Sequence, residues 1–369
     1  MIPTVSRRNF LLGASALTAG LAGCGRARTG PFAGEELRIF VYAGGHEKTM
    51  RETFVPRFEE ATGATAVLDA GWWDSIAKLK ASPKGQPAFD LVITDATQGY
   101  PAIKEGLFAQ LDLANLPNHK NLAPSALDNW VFRDRYGVPY PDAVMTLAYR
   151  RDLVPAPLTS WADLQRDDLS GKVALYNSFY MSLYTFACMK AAGEGKPGTA
   201  AELVRKDLQG VLNFAKERRR LVKFWWPTTT DMILGLTRKD CAAGNMQSPE
   251  MLQALREEEV LAAAVPEADR AFVQVMWCVP EGTPRQALAE KAIDLIFSPE
   301  MQLEFARRGS ASAVPAVAKQ MAEEDAFWKS IYPHTEEQLK SLRYYPYDTY
   351  AEHWDDIASF WDRQVLRKG

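Results

Sequence analysis

Cysteine is scarce in this chain. Four in 369 residues are too few for a disulfide framework, and none shows the paired C-x-x-C spacing of a structural zinc site. Histidine is equally rare, and His46, His119, His334 and His353 form no H-E-x-x-H or other ligand spacing, so no metal site is expected. Positive charge is not in excess: 43 basic residues stand against 46 acidic ones, for a net charge of −3. Nothing is left over to neutralise phosphates, which excludes nucleic acid as the natural partner. No P-loop, strand-linked G-x-G-x-x-G or G-x-S-x-G occurs, so neither a nucleotide cradle nor a hydrolase elbow is written here. Ser75-Ile76-Ala77-Lys78 matches the S-x-x-K of serine acyltransferases, but its S-D-N and K-T-G companions are missing. The two residues read as ordinary helix positions. Binding without catalysis, and without a cofactor, is the expectation.

What is present begins with an address. Ser6-Arg7-Arg8-Asn9-Phe10-Leu11 leads into a Gly- and Ala-rich apolar run that ends in Leu21-Ala22-Gly23-Cys24. A positive start, an apolar stretch shorter than the roughly 18 residues of a membrane span, and small residues before a cysteine make an export signal. The arginine pair resembles the twin-arginine export motif. Leu21 to Cys24 resembles the lipobox, which implies removal of residues 1–23 and a lipid on Cys24. Residues 24–35, with several Gly and a Pro, read as a tether. The expected location is outside the cytoplasmic membrane, lipid-anchored to its periplasmic or cell-surface face.

The remaining 47% hydrophobic, 24% charged chain is long enough for two lobes. Glu36 to Tyr42 reads as a strand, residues 46–61 as a helix with Met50, Phe54 and Phe58 at helical spacing, and residues 64–68 as a second strand. A helix over 74–81 precedes the continuous apolar strand 89–94. A second α/β series starts at Gly171-Lys172-Val173-Ala174-Leu175-Tyr176. Helices are predicted near 182–192, 199–216, 231–239, 285–297 and 299–308, with another apolar strand over 271–279. Apolar strands alternating with amphipathic helices predict an α/β fold with covered sheets. The chain leaves the first lobe near 140–150 and returns near 273–280. That gives lobe 1 over 36–143 and 275–315, lobe 2 over 144–274, and C-terminal helices over 316–369 packed on both. Cys188, Cys241 and Cys278 sit in apolar or mixed runs and read as buried free thiols, with a Cys188–Cys241 bridge the alternative.

Five segments together resemble the extracellular solute-binding proteins of ABC importers, on the spermidine/putrescine-binding side. They are Phe58-Glu59-Glu60-Ala61-Thr62-Gly63; Phe89-Asp90-Leu91-Val92-Ile93-Thr94-Asp95; Gly137-Val138-Pro139-Tyr140; Leu158-Thr159-Ser160-Trp161-Ala162-Asp163-Leu164 with Gly171 to Leu175; and Ile293 to Gln302. The resemblance implies a two-lobed periplasmic-binding-protein fold, a two-strand hinge and a cleft that closes on ligand. It also implies a permease and its ATPase as partners, and a monomer.

Ligand residues of such folds lie on loops at strand ends. The candidates here are Tyr42, His46, Asp95, Thr97, Gln98, Asp142, Asn177, Tyr180, Trp225, Trp226, Asn245, Gln247 and Trp277. Of Trp225 and Trp226, at most one faces ligand, because consecutive residues point opposite ways. The aromatic candidates suit an amine through cation–π contact. The loops at 177–180 and 245–248 are neutral where carboxylates are wanted, which leaves Asp95, Asp142 and Asp231 as nearby acids. Burying an unpaired ammonium costs several kcal/mol, so a polyamine and a neutral or zwitterionic polar solute both stand. The rival classes are an exported enzyme acting on a small polar molecule and a solute sensor.

Overall fold

The computed structural model describes residues 29–340 and 342–367. The export signal and Cys24 lie outside these residues. Nine strands form the sheet: β1 (Glu36–Tyr42), β2 (Thr65–Gly71), β3 (Leu91–Asp95), β4 (Val138–Arg150), β5 (Val173–Tyr176), β6 (Val222–Trp226), β7 (Ala243–Gln247), β8 (Leu261–Ala264) and β9 (Phe272–Cys278). Their order is β2-β1-β3-β9-β4-β7-β5-β6, with β8 also paired to β4.

β1 runs parallel to β2 and β3, and β5 runs parallel to β6 and β7. Parallel neighbours need crossover helices, which cover the sheet and bury its apolar strands on both faces. Leu37, Ile39, Phe40 and Val41 of β1 are accordingly inaccessible to solvent. Met50, Phe54 and Phe58, one helical turn apart, are buried along residues 45–62. Gly63 ends that helix in the left-handed conformation, where a side chain would be strained.

Two antiparallel strands join the parallel groups. The thirteen-residue β4 pairs with β9 through its first half and with β7 and β8 through its second. β9 pairs in turn with β3. The chain therefore crosses between two α/β halves twice, on β4 and β9, as the sequence predicts. A register shift between Pro141 and Val144 bulges β4 at Asp142. Bulges re-aim side chains, and this one lies beside the cleft between the halves.

Some predicted elements change. The helix expected over 199–216 is two, Ala200–Lys206 and Leu208–Arg218, because Asp207 breaks the first and caps the second through the Gly210 amide. Residues 225–226 and 245–247, expected in loops, belong to β6 and β7. β6 follows the run Arg218-Arg219-Arg220, whose charge masks a short edge strand, and Ala-rich β8 has weak strand propensity. Lys78 of the S-x-x-K stretch is ion-paired to Asp69 and Asp74. Cys188, Cys241 and Cys278 are buried and free.

Gly244 shows how tightly the second half packs. A β-carbon there would overlap the Ala174 carbonyl of β5. Gly244→Ala should therefore leave little folded protein; a normal circular-dichroism melting curve for that variant would refute the packing described.

The C-terminal segment crosses both halves. The Trp354 ring lies 5.1 Å from Trp73 of the first half and 4.7 Å from Phe179 of the second. Tyr345, Tyr350 and Trp361 are fully buried beneath it.

Candidate functional site: a carboxylate-lined cleft

A cleft of about 320 Å³ lies between the halves. Its walls come from the turns that follow strands, where open α/β sheets present their ligand loops. Tyr42 ends β1, His46 opens the next helix, Trp72 and Trp73 follow β2, and Asp95 ends β3. The crossing strands supply Tyr140, Asp142 and Trp277. Tyr176, Tyr180, Gln247 and Glu250 face them from the second half.

Aromatic rings form much of this wall. Tyr42 stacks on Trp72 with centroids 5.6 Å apart and planes inclined by 16°, and Trp72 stays 47% exposed. Trp73 and Tyr180 meet edge to face at 5.1 Å, one from each half. Such faces attract cations and cover methylene groups.

Three carboxylates lie among these rings. Asp95 caps the helix Ala96–Lys104, accepting the Thr97 amide at 2.7 Å, yet its burial pushes its pKa up to about 6. Burial raises Asp142 to about 6 as well. Glu250 rises to about 7, first through burial and then through the charge of Asp142. Desolvation disfavours each charged form, and no ion pair offsets it among the described residues. Burial lowers His46 to about 4, so its ring is neutral at pH 7. Lys48, Arg256 and Arg308 also border the cleft, but Arg256 is ion-paired to Asp325 and Arg308 to Glu52, and Lys48 is exposed. The His46 Nδ1, the Trp277 Nε1 and one Glu250 oxygen are buried atoms without a hydrogen-bond partner among the described residues. The cleft is negative, aromatic and short of partners.

Seven sequence candidates line it: Tyr42, His46, Asp95, Asp142, Tyr180, Gln247 and Trp277. The other six lie elsewhere. Thr97 is buried beside Asp95, and Gln98 donates to the Trp73 carbonyl at 3.1 Å. The Asn177 carbonyl accepts the Trp361 indole N–H. Asn245 is wholly buried, accepting the Tyr176 amide and donating to Ser182 and Thr185 hydroxyls. Trp225 packs on Trp361 at 5.6 Å and Trp226 on Tyr176 at 4.5 Å, because β6 is an edge strand whose rings turn into the second half. Asp231 bonds to the Thr228 hydroxyl on the surface. Sequence reasoning missed Trp72, Trp73, Tyr176 and Glu250. Two tryptophans directly after a strand and an acid one turn into a Ser-Pro-started helix were the available signals.

Two α/β halves, two connecting strands and a cleft at the strand ends define a periplasmic binding protein. The chain belongs to the bacterial extracellular solute-binding protein family, whose model matches residues 53–333. It is 25% identical over 282 residues to the gamma-aminobutyric acid-binding protein of Pseudomonas aeruginosa, spanning 74% of this chain and 75% of that one. It is 33% identical over 101 residues to the spermidine/putrescine-binding periplasmic protein of Escherichia coli, 27% of this chain and 28% of the relative. Among solved structures, a GABA receptor superposes with a TM-score of 0.74 at 19% identity, covering 91% of this chain and 99% of its own. The binding protein MotA of A. tumefaciens B6, in complex with glucopine, gives 0.73 at 14% identity, covering 90% and 100%. The structural likeness is one of fold. The protein is thus a solute-binding protein of the kind that serves ABC importers, and its relatives are not enzymes. Among the described residues no helix is long and apolar enough to cross a membrane.

Proposed function

We propose that the protein captures a small organic solute bearing an ammonium group and delivers it to an ABC permease with its ATPase. The carrying observation is the set of cleft carboxylates, buried Asp95 and half-buried Asp142 and Glu250, that no basic side chain among the described residues pairs with. An ammonium ion supplies both charge and donors, and Tyr42, Trp72 and Trp277 flank its carbon chain. His46, Tyr180 and Gln247 complete the lining. The lobes follow the boundaries 36–143 with 275–315 and 144–274, with residues 316–369 laid across both. The chain acts as a monomer, held outside the cytoplasmic membrane by a lipid on Cys24. Cys24→Ala should release it into the soluble fraction; continued membrane retention of that variant would exclude the anchor.

A second reading, an ω-amino acid, is favoured by the N-terminus of the helix over 45–62. It has no side-chain cap, it lies on the cleft wall, and its amides suit a carboxylate. A gamma-aminobutyric acid-binding protein matches 74% of the chain in sequence, whereas the spermidine/putrescine-binding periplasmic protein of Escherichia coli matches 27% of it. A thermal-shift panel separates the two. A ligand at about a thousand times its Kd adds roughly 4 kcal/mol. Putrescine and spermidine should raise Tm if charge neutralisation dominates, and gamma-aminobutyrate if the helix end takes a carboxylate. Shifts confined to dicarboxylates or neutral sugars would overturn both.

A further inference from the structure

We propose that Trp354 of the C-terminal segment, which does not itself line the cleft, backs Trp73 and so fixes where the cleft ends, making the tail a ruler for the length of the bound solute. The inference rests on the cleft as the solute site and takes its first probes from the amine reading above.

Trp73 is the wall residue that stands between the cleft and the tail. It follows β2 in the first half, lines the cleft and is half-buried. Its ring meets two others at once. Tyr180 of the second half lies edge to face at 5.1 Å, and Trp354 lies at 5.1 Å with the planes inclined by 55°. Tyr180 lines the cleft as well, whereas Trp354 does not. Trp354 therefore sits behind Trp73 and holds it forward.

Trp354 is held in its turn. It opens the helix Trp354–Phe360, and its ring packs edge to face on Phe179 at 4.7 Å. Phe179 meets Tyr350 edge to face at 5.8 Å, and Tyr350, wholly buried, lies 5.7 Å from Tyr180. The contacts thus run in a circuit from Trp73 through the tail and back to the cleft. Edge-to-face rings packed on several sides have few rotamers to escape into, so this wall does not flex as a methionine wall would.

A solute chain one methylene too long must displace a ring or leave its end unplaced, and one methylene in an apolar pocket is worth roughly 10- to 200-fold in discrimination. What lies behind the wall decides what its removal admits. The Tyr345 and Tyr350 hydroxyls are buried there without a hydrogen-bond partner among the described residues, and the Tyr345 ring lies 5.7 Å from Tyr180. Taking Trp354 away gives Trp73 room to retreat and opens the cleft toward these hydroxyls. Each can donate or accept, so a longer chain gains a partner whatever polar group ends it.

Isothermal titration of the full mature chain tests this with straight α,ω-diamines and ω-amino acids of about three to eight carbons, beside diols and dicarboxylic acids of the same lengths. Wild-type affinity should rise to a preferred length and fall at least about tenfold with the next methylene. Trp354→Ala should move the preferred length at least one methylene longer, and the first compound that wild type rejects should gain about tenfold. Trp73→Ala removes the wall from the cleft side and should shift the preference the same way, which keeps the test decisive if Trp354→Ala does not fold. Trp354→Phe should keep the wild-type length, and Trp328→Ala should lower Tm with the length preference unchanged. If wild type binds an amine and both alanine variants at the wall keep its preferred length, the ruler is wrong and the amine reading stands. If wild type binds no amine but the diol or dicarboxylate preference shifts in the variants, the amine reading fails and the ruler stands. If no straight-chain compound binds wild type, the cleft does not read chain length and both fall.

Discussion

Asp142→Ala is expected to weaken binding of an ammonium ligand by about 2–5 kcal/mol, roughly 30- to 5000-fold, because it removes a half-buried cleft carboxylate from the cation it faces. The same change should leave the empty protein as stable as wild type, or more so, near neutral pH. Asp142 is held near the cleft by the β4 bulge and gains nothing there without ligand: its pKa is raised by burial, and no basic residue pairs with it among the described residues. A group whose folded pKa is raised contributes stability below its unfolded value, about 4, and loses it as pH climbs through about 6. Removing it relieves that cost. Asp95→Ala should behave differently, since Asp95 also caps a helix through the Thr97 amide. Its loss should lower affinity and also cost about 1 kcal/mol of stability. Isothermal titration with putrescine and with gamma-aminobutyrate, beside thermal melts of the empty variants, reads all of these. Unchanged affinity in Asp142→Ala would remove that residue from the site.

The contrast between those two aspartates shows what the sequence makes legible. Asp95 follows an apolar strand and precedes a helix, so local pattern places it at a strand end. Asp142 is visible as part of a loop-like Tyr-Pro-Asp, but the bulge that turns it depends on pairing with β9, more than 120 positions away along the chain. The fold was readable because apolar strands and amphipathic helices repeat their periods locally, and the two crossings appear as apolar segments flanking the second series. The site was half readable. Asn245, Trp225 and Trp226 sit at strand ends in the sequence, yet each side chain is engaged by a partner that the chain alone does not reveal: Trp361, Tyr176, Ser182 or Thr185; of Asn177, the backbone carbonyl is taken by Trp361. Glu250 was hidden for the opposite reason. It lies within a helix, where an acid normally faces water, and only the fold brings it to the cleft, with Gly45 of the other half close to its carboxylate.

The aromatic tail carries the other large effect. Trp361→Ala should destabilise the protein by about 3–5 kcal/mol, the usual cost of deleting a buried tryptophan. The ring is 1% exposed, lies 5.6 Å from Trp225 and 6.1 Å from Phe186, and donates its N–H to the Asn177 carbonyl at 2.7 Å. That carbonyl belongs to the turn between β5 and the helix Phe179–Gly193, and the Asn177 amide is held by Trp226 at 3.0 Å. Trp361 thus braces the turn that brings Tyr180 against Trp73. At about 2–4 °C per kcal/mol in this size class, Tm should fall by roughly 6–20 °C. Trp361→Phe refills most of the cavity but leaves the Asn177 carbonyl unmet, so it should recover part of the stability and not all of it. Because the turn also positions a cleft residue, the folded fraction of Trp361→Ala should bind an amine more weakly, while Trp328→Ala, which empties a pocket against Tyr332, should lower Tm with affinity unchanged. Equal affinity losses in the two variants would mean that the tail acts on global stability alone, and a Tm within about 2 °C of wild type for Trp361→Ala would mean that the brace does not exist.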